Sequence, residues 1–317
     1  MGYKKNFPNR RGAILVHVVI AGGSGFIGKA LQERLINDGN QVTILTRNPE
    51  KVKETEQLKA VQWLVENSEP EEQLHQVDAI VNLAGESING VRWTKSKKKR
   101  ILDSRMTATR EIIRIISALE VKPQVLVNGS AVGFYGMSDT EIFTEQSTSV
   151  ATDFLATVVK MWEAEAMHAE QFGVRTVFAR FGVVLGKEEG ALPLMVLPYK
   201  MGVGGTIGSG KQWLSWIHVA DAAGLLHFAV ENPEIIGAIN VTAPEPAKMR
   251  EFGKTIGRVL RRPHWLPVLS FAMKTLLGEM SDMLLRGQCA IPEKAMLNKY
   301  EYRYQQLEKA LENILKD

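Results

Sequence analysis

An apolar run that breaks into glycines and resumes at helical spacing leaves a chain few ways to fold, and here that run is Val18-Val19-Ile20-Ala21-Gly22-Gly23-Ser24-Gly25-Phe26-Ile27-Gly28. The pattern predicts a buried strand, a tight turn and a helix that starts near Phe26. A backbone that turns sharply while a pyrophosphate approaches its N–H groups has no room for Cβ atoms at the contacts, which accounts for Gly22, Gly23, Gly25 and Gly28. Ser24, Phe26 and Ile27 complete the turn and the first helical positions, and the helix start aims its dipole and unpaired N–H groups at the phosphate. Alone, Gly23-x-Gly25-x-x-Gly28 is a weak signal, because many strand–turn–helix units carry glycines. Its setting is stronger: Ala30, Leu31 and Leu35 continue the helical face, Asp38-Gly39-Asn40 stops it, and Gln41 to Leu45 reads as a second strand. A nucleotide-binding βαβ unit is the expected result.

The end of the second strand selects the nucleotide. An NAD site usually places Asp or Glu about 20 residues past the glycines to bind the ribose 2′-hydroxyl, whereas an NADP site substitutes Arg for the 2′-phosphate. Thr46-Arg47-Asn48 fills the position, so Arg47 points to NADP(H).

With 317 residues, 45% of them apolar, the chain can bury one two-lobed core or two small ones. A net charge of +4, with both signs mixed along the chain, gives no ground for a nucleic-acid partner. Lys95, Lys97, Lys98, Lys99 and Arg100 form a basic run, but without repeated aromatics it reads as a solvated helix face. The single cysteine, Cys289, excludes an internal disulfide and a cysteine-rich metal site, so no metal is expected and a reducing cytoplasm is the natural compartment. Lys4-Lys5 and Arg10-Arg11 ahead of Ala13 to Ala21 imitate a signal peptide, yet cleavage there would destroy the glycine turn. No later run supplies the roughly 20 apolar residues of a membrane span. Residues 1–12 fit no element and read as a disordered extension, with Val16 as a candidate native start.

Further along, Val61 to Leu64 reads as a short strand, and Asp78 to Gly85 as a fourth strand closing in small residues. In a doubly wound sheet the end of that strand faces the dinucleotide, which places Leu83, Ala84 and Gly85 against the adenosine and its ribose. Trp93 to Leu119 is a helix, and Arg105 inside it is placed to turn back toward the cofactor phosphates. A fifth strand, Gln124 to Asn128, ends in Gly129-Ser130-Ala131-Val132-Gly133-Phe134-Tyr135-Gly136; a helix over Asp153 to Phe172 and a long strand over Val174 to Leu185 follow. Strands alternating with helices at this spacing predict a parallel α/β sheet. Beyond Gly186 come proline- and glycine-rich loops, Trp213 to His218 as a strand and Asp221 to Val230 as a helix. From Pro244 helices dominate, over Met249 to Leu260, Phe271 to Met280 and Tyr304 to Leu315.

Together these residues resemble the atypical extended short-chain dehydrogenase/reductases, an epimerase-like family. The resemblance covers nearly the whole chain after residue 17. It rests on the glycine turn, Asn82-Leu83-Ala84-Gly85-Glu86, Arg92-Trp93, Ser104-Arg105, Ser130 to Gly136, Trp162-Glu163, Gly208-Ser209-Gly210-Lys211-Gln212, Ser215-Trp216-Ile217-His218 and Arg262-Pro263. It implies an α/β fold, a doubly wound parallel Rossmann sheet with a smaller, mostly helical C-terminal substrate lobe. The divisions would be the extension at 1–12, an NADP-binding domain over 13–243 with 187–212 on the substrate side, and a helical lobe over 244–317. It also implies NADP contacts from Thr46, Arg47, Leu83, Ala84, Arg105 and the backbone near Val184, and a small-molecule substrate.

One departure matters more than the match. Extended short-chain dehydrogenases carry a Tyr-x-x-x-Lys pair on the helix after the fifth strand, the tyrosine exchanging a proton with substrate and the lysine lowering its pKa. Aligning Trp162-Glu163 with that helix puts Leu155 and Val159 at the pair, and Lys160, one residue on, is rotated away by about 100°. Ser130 matches the superfamily's substrate-polarising serine, and Tyr135 is the nearest phenol in sequence, so these two are the candidate catalytic residues. Three readings divide here: an NADP(H)-dependent oxidoreductase or epimerase with displaced acid/base groups, a non-catalytic NADP(H)-binding sensor or interaction protein, and nucleic-acid binding through Lys95 to Arg100. Apolar side chains filling the space beside the nicotinamide would favour the second.

Overall fold

Seven strands form the central sheet of the computed structural model, which describes residues 15–88, 92–268 and 270–316. They are β1 (His17–Ala21), β2 (Gln41–Thr46), β3 (Leu58–Gln62), β4 (Ala79–Asn82), β5 (Val125–Ala131), β6 (Arg175–Phe181) and β7 (Gly237–Val241). All pairings are parallel, in the order β7-β6-β5-β4-β1-β2-β3. The order reverses between β1 and β4, so a crevice opens beyond the C-terminal ends of those two strands. The expectations for residues 1–12 lie outside the described residues.

Val18, Val19, Ile20 and Ala21 have no exposed surface, as a central parallel strand covered on both faces requires. Six helices do the covering and closing: α1 (Phe26–Asn37), α2 (Lys95–Ala118), α3 (Phe154–Ala166), α4 (Leu192–Lys200), α5 (Val219–Glu231) and α6 (Met249–Leu260). On one face Leu31 and Leu35 of α1 and Leu225 and Leu226 of α5 meet Val18, Ile20 and Val81. On the other, Ile112, Ile115 and Ile116 of α2 and Ala166 of α3 meet Val19, Ile80 and Leu126. A third core joins Leu192 and Val196 of α4, Phe252 and Ile256 of α6, and Leu311 and Ile314 of the final helix, Leu307–Lys316, around Trp216.

Two strands expected to be continuous are broken. The run over Val174 to Leu185 stops at Gly182, where a Cβ would lie 2.3 Å from the Ser215 carbonyl oxygen. Val183–Leu185 then leaves the sheet to pair with Trp216–His218. The run over Trp213 to His218 breaks at Ser215, whose carbonyl accepts from Val183 N (2.7 Å) and whose hydroxyl donates to Gln288 O and accepts from Ala290 N. Trp213–Leu214 pairs instead with Ala247–Lys248. Among the described residues no helix is long and apolar enough to cross a membrane.

His218 fastens the chain's last segment to the sheet domain. Its Nδ1 accepts from Ala220 N at the start of α5, its Nε2 lies 3.1 Å from Asn313 Oδ1, and its ring stacks on Tyr304 at 3.9 Å. Burial lowers its pKa to about 4, with a nearby Arg303 charge acting in the same direction and the Asn313 contact opposing. Folded protein therefore binds fewer protons here than unfolded chain between pH 6.5 and 4, and stability falls as pH drops through that window. The expected loss from this group is about 3 kcal/mol. Urea denaturation of wild type and His218→Asn at pH 7 and pH 4.5 checks it: the substitution should flatten the pH dependence, and an unchanged slope would refute the assignment.

Candidate functional site

The crevice is built from the glycine turn upward. Gly22 has φ +78°, and a Cβ there would sit 2.8 Å from the Leu83 carbonyl carbon, so the turn after β1 lies directly against the chain leaving β4. At Gly28 a Cβ would meet Gly22 O at 2.4 Å, which brings α1 close beneath the turn. Gly23 serves packing: its Cβ would be 2.9 Å from Ile44 Cγ2, its carbonyl accepts from the Gln32 amide, and it lines neither cavity of the crevice. Gly25 differs from all three. Its φ of −79° suits any residue, and a Cβ there meets one non-neighbouring protein atom, Gly22 O, at 3.3 Å, with the crevice beyond. Helix α1 opens at Gly25 with no side-chain cap, leaving its first N–H groups for a ligand.

Two cavities meet at Gly22, Gly25 and Leu83. The outer, about 730 Å³, brings together six of the residues expected to contact the cofactor, Ser24, Thr46, Arg47, Leu83, Ala84 and Gly85, and is also lined by Trp63, Glu86 and Asp103. Its carboxylates are already paired: Glu86 with Lys97 (2.7 Å) and Arg100 (3.2 Å), Asp103 with Lys99. Lys98 of the same basic run pairs with Glu279. Arg47 is exposed, and its guanidinium takes part in no hydrogen bond or ion pair among the described residues, so it is free for an anion at the mouth of this cavity.

The inner cavity, about 430 Å³, is walled by Phe26, Ile27, Gly28, Leu155, Val159, Val184, Trp213 and Met283, with Arg105, Arg286 and Gln288 among its polar lining. The positions aligned with the missing tyrosine and lysine thus face it as apolar side chains. Lys160 turns away, donating to Ala151 O at 2.7 Å. Arg105 lies along the wall, donating to the carbonyls of Glu86 and Ile101 and resting over the Trp162 ring at 5.0 Å. Burial lowers its pKa to about 10, which still leaves it charged at neutral pH.

Ser130 also lines the inner cavity, whereas Tyr135 does not. Tyr135 is 3% exposed, stacks on Phe143, donates to Asn240 Oδ1 at 2.8 Å and accepts from Arg180 Nη1 at 3.0 Å. Burial raises its pKa. It packs beneath the loop with its hydroxyl committed, which removes it as a proton donor to anything in the crevice. Behind Ser130 lie Glu163, which the sequence showed only as part of a motif and without a role, and Arg180, which it did not single out. Ser130 Oγ donates to Glu163 Oε1 at 2.5 Å, and Arg180 Nε and Nη2 donate to the two oxygens of Glu163, each at 2.8 Å. An arginine inside the apolar run Val177-Phe178-Ala179-Arg180-Phe181 was the available signal, because a charge in a buried strand requires a partner.

The model of the NAD dependent epimerase/dehydratase family matches residues 18–241, and a domain of unknown function, DUF1731, matches residues 270–314. The chain belongs to the NAD dependent epimerase/dehydratase family. Within it, the chain is 50% identical to epimerase family protein YfhF of Bacillus subtilis over 95% of this chain and 99% of that one. It is 41% identical to the chloroplastic SDR39U1 homolog of Arabidopsis thaliana, covering 94% and 86%. The crystal structure of human epimerase family protein SDR39U1 with NADPH superimposes with a TM-score of 0.84 at 33% identity, covering 95% of this chain and all of that one.

The glycines of this epimerase-family turn make a separable prediction. Gly25→Val should fold with nearly unchanged thermal stability yet lose dinucleotide binding, because its side chain projects into the crevice. Gly28→Val should fail to fold, because its Cβ meets backbone. Circular dichroism melts and NADPH fluorescence titration distinguish them; micromolar NADPH affinity in folded Gly25→Val would show the crevice is not the pyrophosphate site.

Proposed function

We propose that the chain binds NADP(H) across the two cavities and works as an oxidoreductase of epimerase type on a small molecule held in the inner one. The observation that carries this is the meeting of an adenosine-sized cavity and an open inner cavity at the uncapped start of α1. The residues fit the cofactor. The first N–H groups of α1 would hold the pyrophosphate, Leu83, Ala84 and Gly85 the adenosine side, and Arg47 the 2′-phosphate. The human relative's bound NADPH supports the same assignment. Bound NADP(H) supplies or accepts a hydride. The chain's part is to orient it, exclude water with Phe26, Leu155 and Val159, and offer Ser130 as the polar group beside the reacting carbon.

Binding without turnover is the weaker reading. Its expected mark is a space filled by apolar side chains; Leu155 and Val159 are apolar, but the cavity they wall is open and carries Ser130.

Arg47→Ala should weaken NADPH binding by about tenfold to a hundredfold, the worth of roughly 1.5–3 kcal/mol for a hydrogen bond to a charged group, and leave NADH binding unchanged. Fluorescence titration with both nucleotides measures this. Equal affinity of the unaltered protein for NADPH and NADH would overturn the cofactor assignment.

A further inference from the structure

The polar layer behind the inner cavity has a fixed direction. Arginine has only donors, so both Glu163 oxygens that face Arg180 must be acceptors, as an ionised carboxylate provides. Arg180 is itself held in place by the Tyr135 hydroxyl at 3.0 Å and lies over the Phe134 ring at 3.5 Å. Glu163 cannot turn without leaving that guanidinium buried and unpaired. Ser130 has a single proton, and it goes to Glu163 Oε1. What Ser130 offers the cavity is therefore its lone pairs.

We infer that the Glu163–Arg180 pair fixes Ser130 as a hydrogen-bond acceptor toward the inner cavity, so that the ligand recognised there presents a hydroxyl donor to it. This rests on the reading of the inner cavity as the substrate site, and it names the substrate class. A carbonyl oxygen at the same place would face lone pairs, unless Ser130 released Glu163 and left a buried carboxylate one donor short. Leu155, Val159, Met137, Trp213 and Met283 give the wall apolar area for a carbon skeleton, while Arg105, Ser215, Arg286 and Gln288 also line it. Glu163 and Arg180 are positioning residues; Ser130 is the group that touches the ligand.

Neutron diffraction from deuterium-exchanged crystals of the full chain reads the orientation directly. The Ser130 deuteron should lie toward Glu163, and Glu163 should carry none. A deuteron facing the cavity, or one on Glu163, overturns the inference. Cyclohexanol and cyclohexanone serve as matched probes, titrated by NMR in the presence of NADP⁺. The alcohol should bind about tenfold more tightly, the preference should vanish in Ser130→Ala, and it should shrink in Glu163→Gln, where the partner no longer dictates the serine's proton. A ketone that binds as well as the alcohol also overturns the inference. Should Glu163→Gln fail to fold, or neither probe bind, the deuteron position in the unaltered protein decides. A parallel NADPH titration keeps the two claims apart, since loss of cofactor binding would sink the proposed function while leaving the serine's orientation readable.

Discussion

The turn after β1 rests on the chain leaving β4 at a separation only backbone can reach, with Gly22 against Leu83 and Gly28 against Gly22. That contact places the start of α1 and the end of β4 on opposite sides of one crevice, and it also positions Phe26. The Phe26 ring fills the space above Gly186 and Gly190: a Cβ on Gly186 would lie 2.3 Å from it, and one on Gly190 3.3 Å. Helix α1 therefore seats the loop after Val183–Leu185 as well as offering its own N–H groups. The outer and inner cavities depend on the same close approach, which is why they share Gly22, Gly25 and Leu83.

A second, fully buried set of hydrogen bonds keeps the strand ends in register above that contact. Asn82 at the end of β4 donates to Asn128 of β5 and to Thr109 of α2, and Trp162 of α3 donates to the same Thr109 hydroxyl. Each group would cost about 1–3 kcal/mol if left unsatisfied, so the four elements are constrained together. Gly129 makes room for this: its Cβ would be 2.8 Å from the Trp162 ring. Trp162 in turn lies under Arg105, so the cation along the inner wall is supported from the core rather than from the surface.

The parts legible in the sequence were those carried by local pattern. The glycine turn, β1, α1 and β2 follow from adjacent residues, and Arg47 at the end of β2 needs no tertiary knowledge to be found. What escaped depends on contacts distant in sequence. The breaks at Gly182 and Ser215 arise because these residues press against one another across 33 positions, Ser215 O accepting from Val183 N. Strand β7, Gly237–Val241, is short and opens on a glycine at φ +68°; it becomes a strand by pairing with β6. Tyr135 looked available because it is near Ser130 in sequence, but Asn240, 105 residues away, claims its hydroxyl. Glu163 was visible only as half of a family motif, since its partner Arg180 lies on another element.

That ion pair raises the question stability cannot answer. The two side chains are 6% and 8% exposed, and removing each charge from water costs several kcal/mol, so a well-packed apolar pair of similar volume would serve the fold as well or better. Packing α3 on β6 does not require a charge. The pair supplies direction. A guanidinium that can only donate, facing a carboxylate that can only accept, leaves Glu163 one defined role toward its remaining neighbour, and that neighbour is Ser130. Leu155 and Val159 stand in the cavity wall, and the charges of the Glu163–Arg180 pair lie one layer deeper. A neutral hydroxyl, that of Ser130, stands between this buried charge and the cavity.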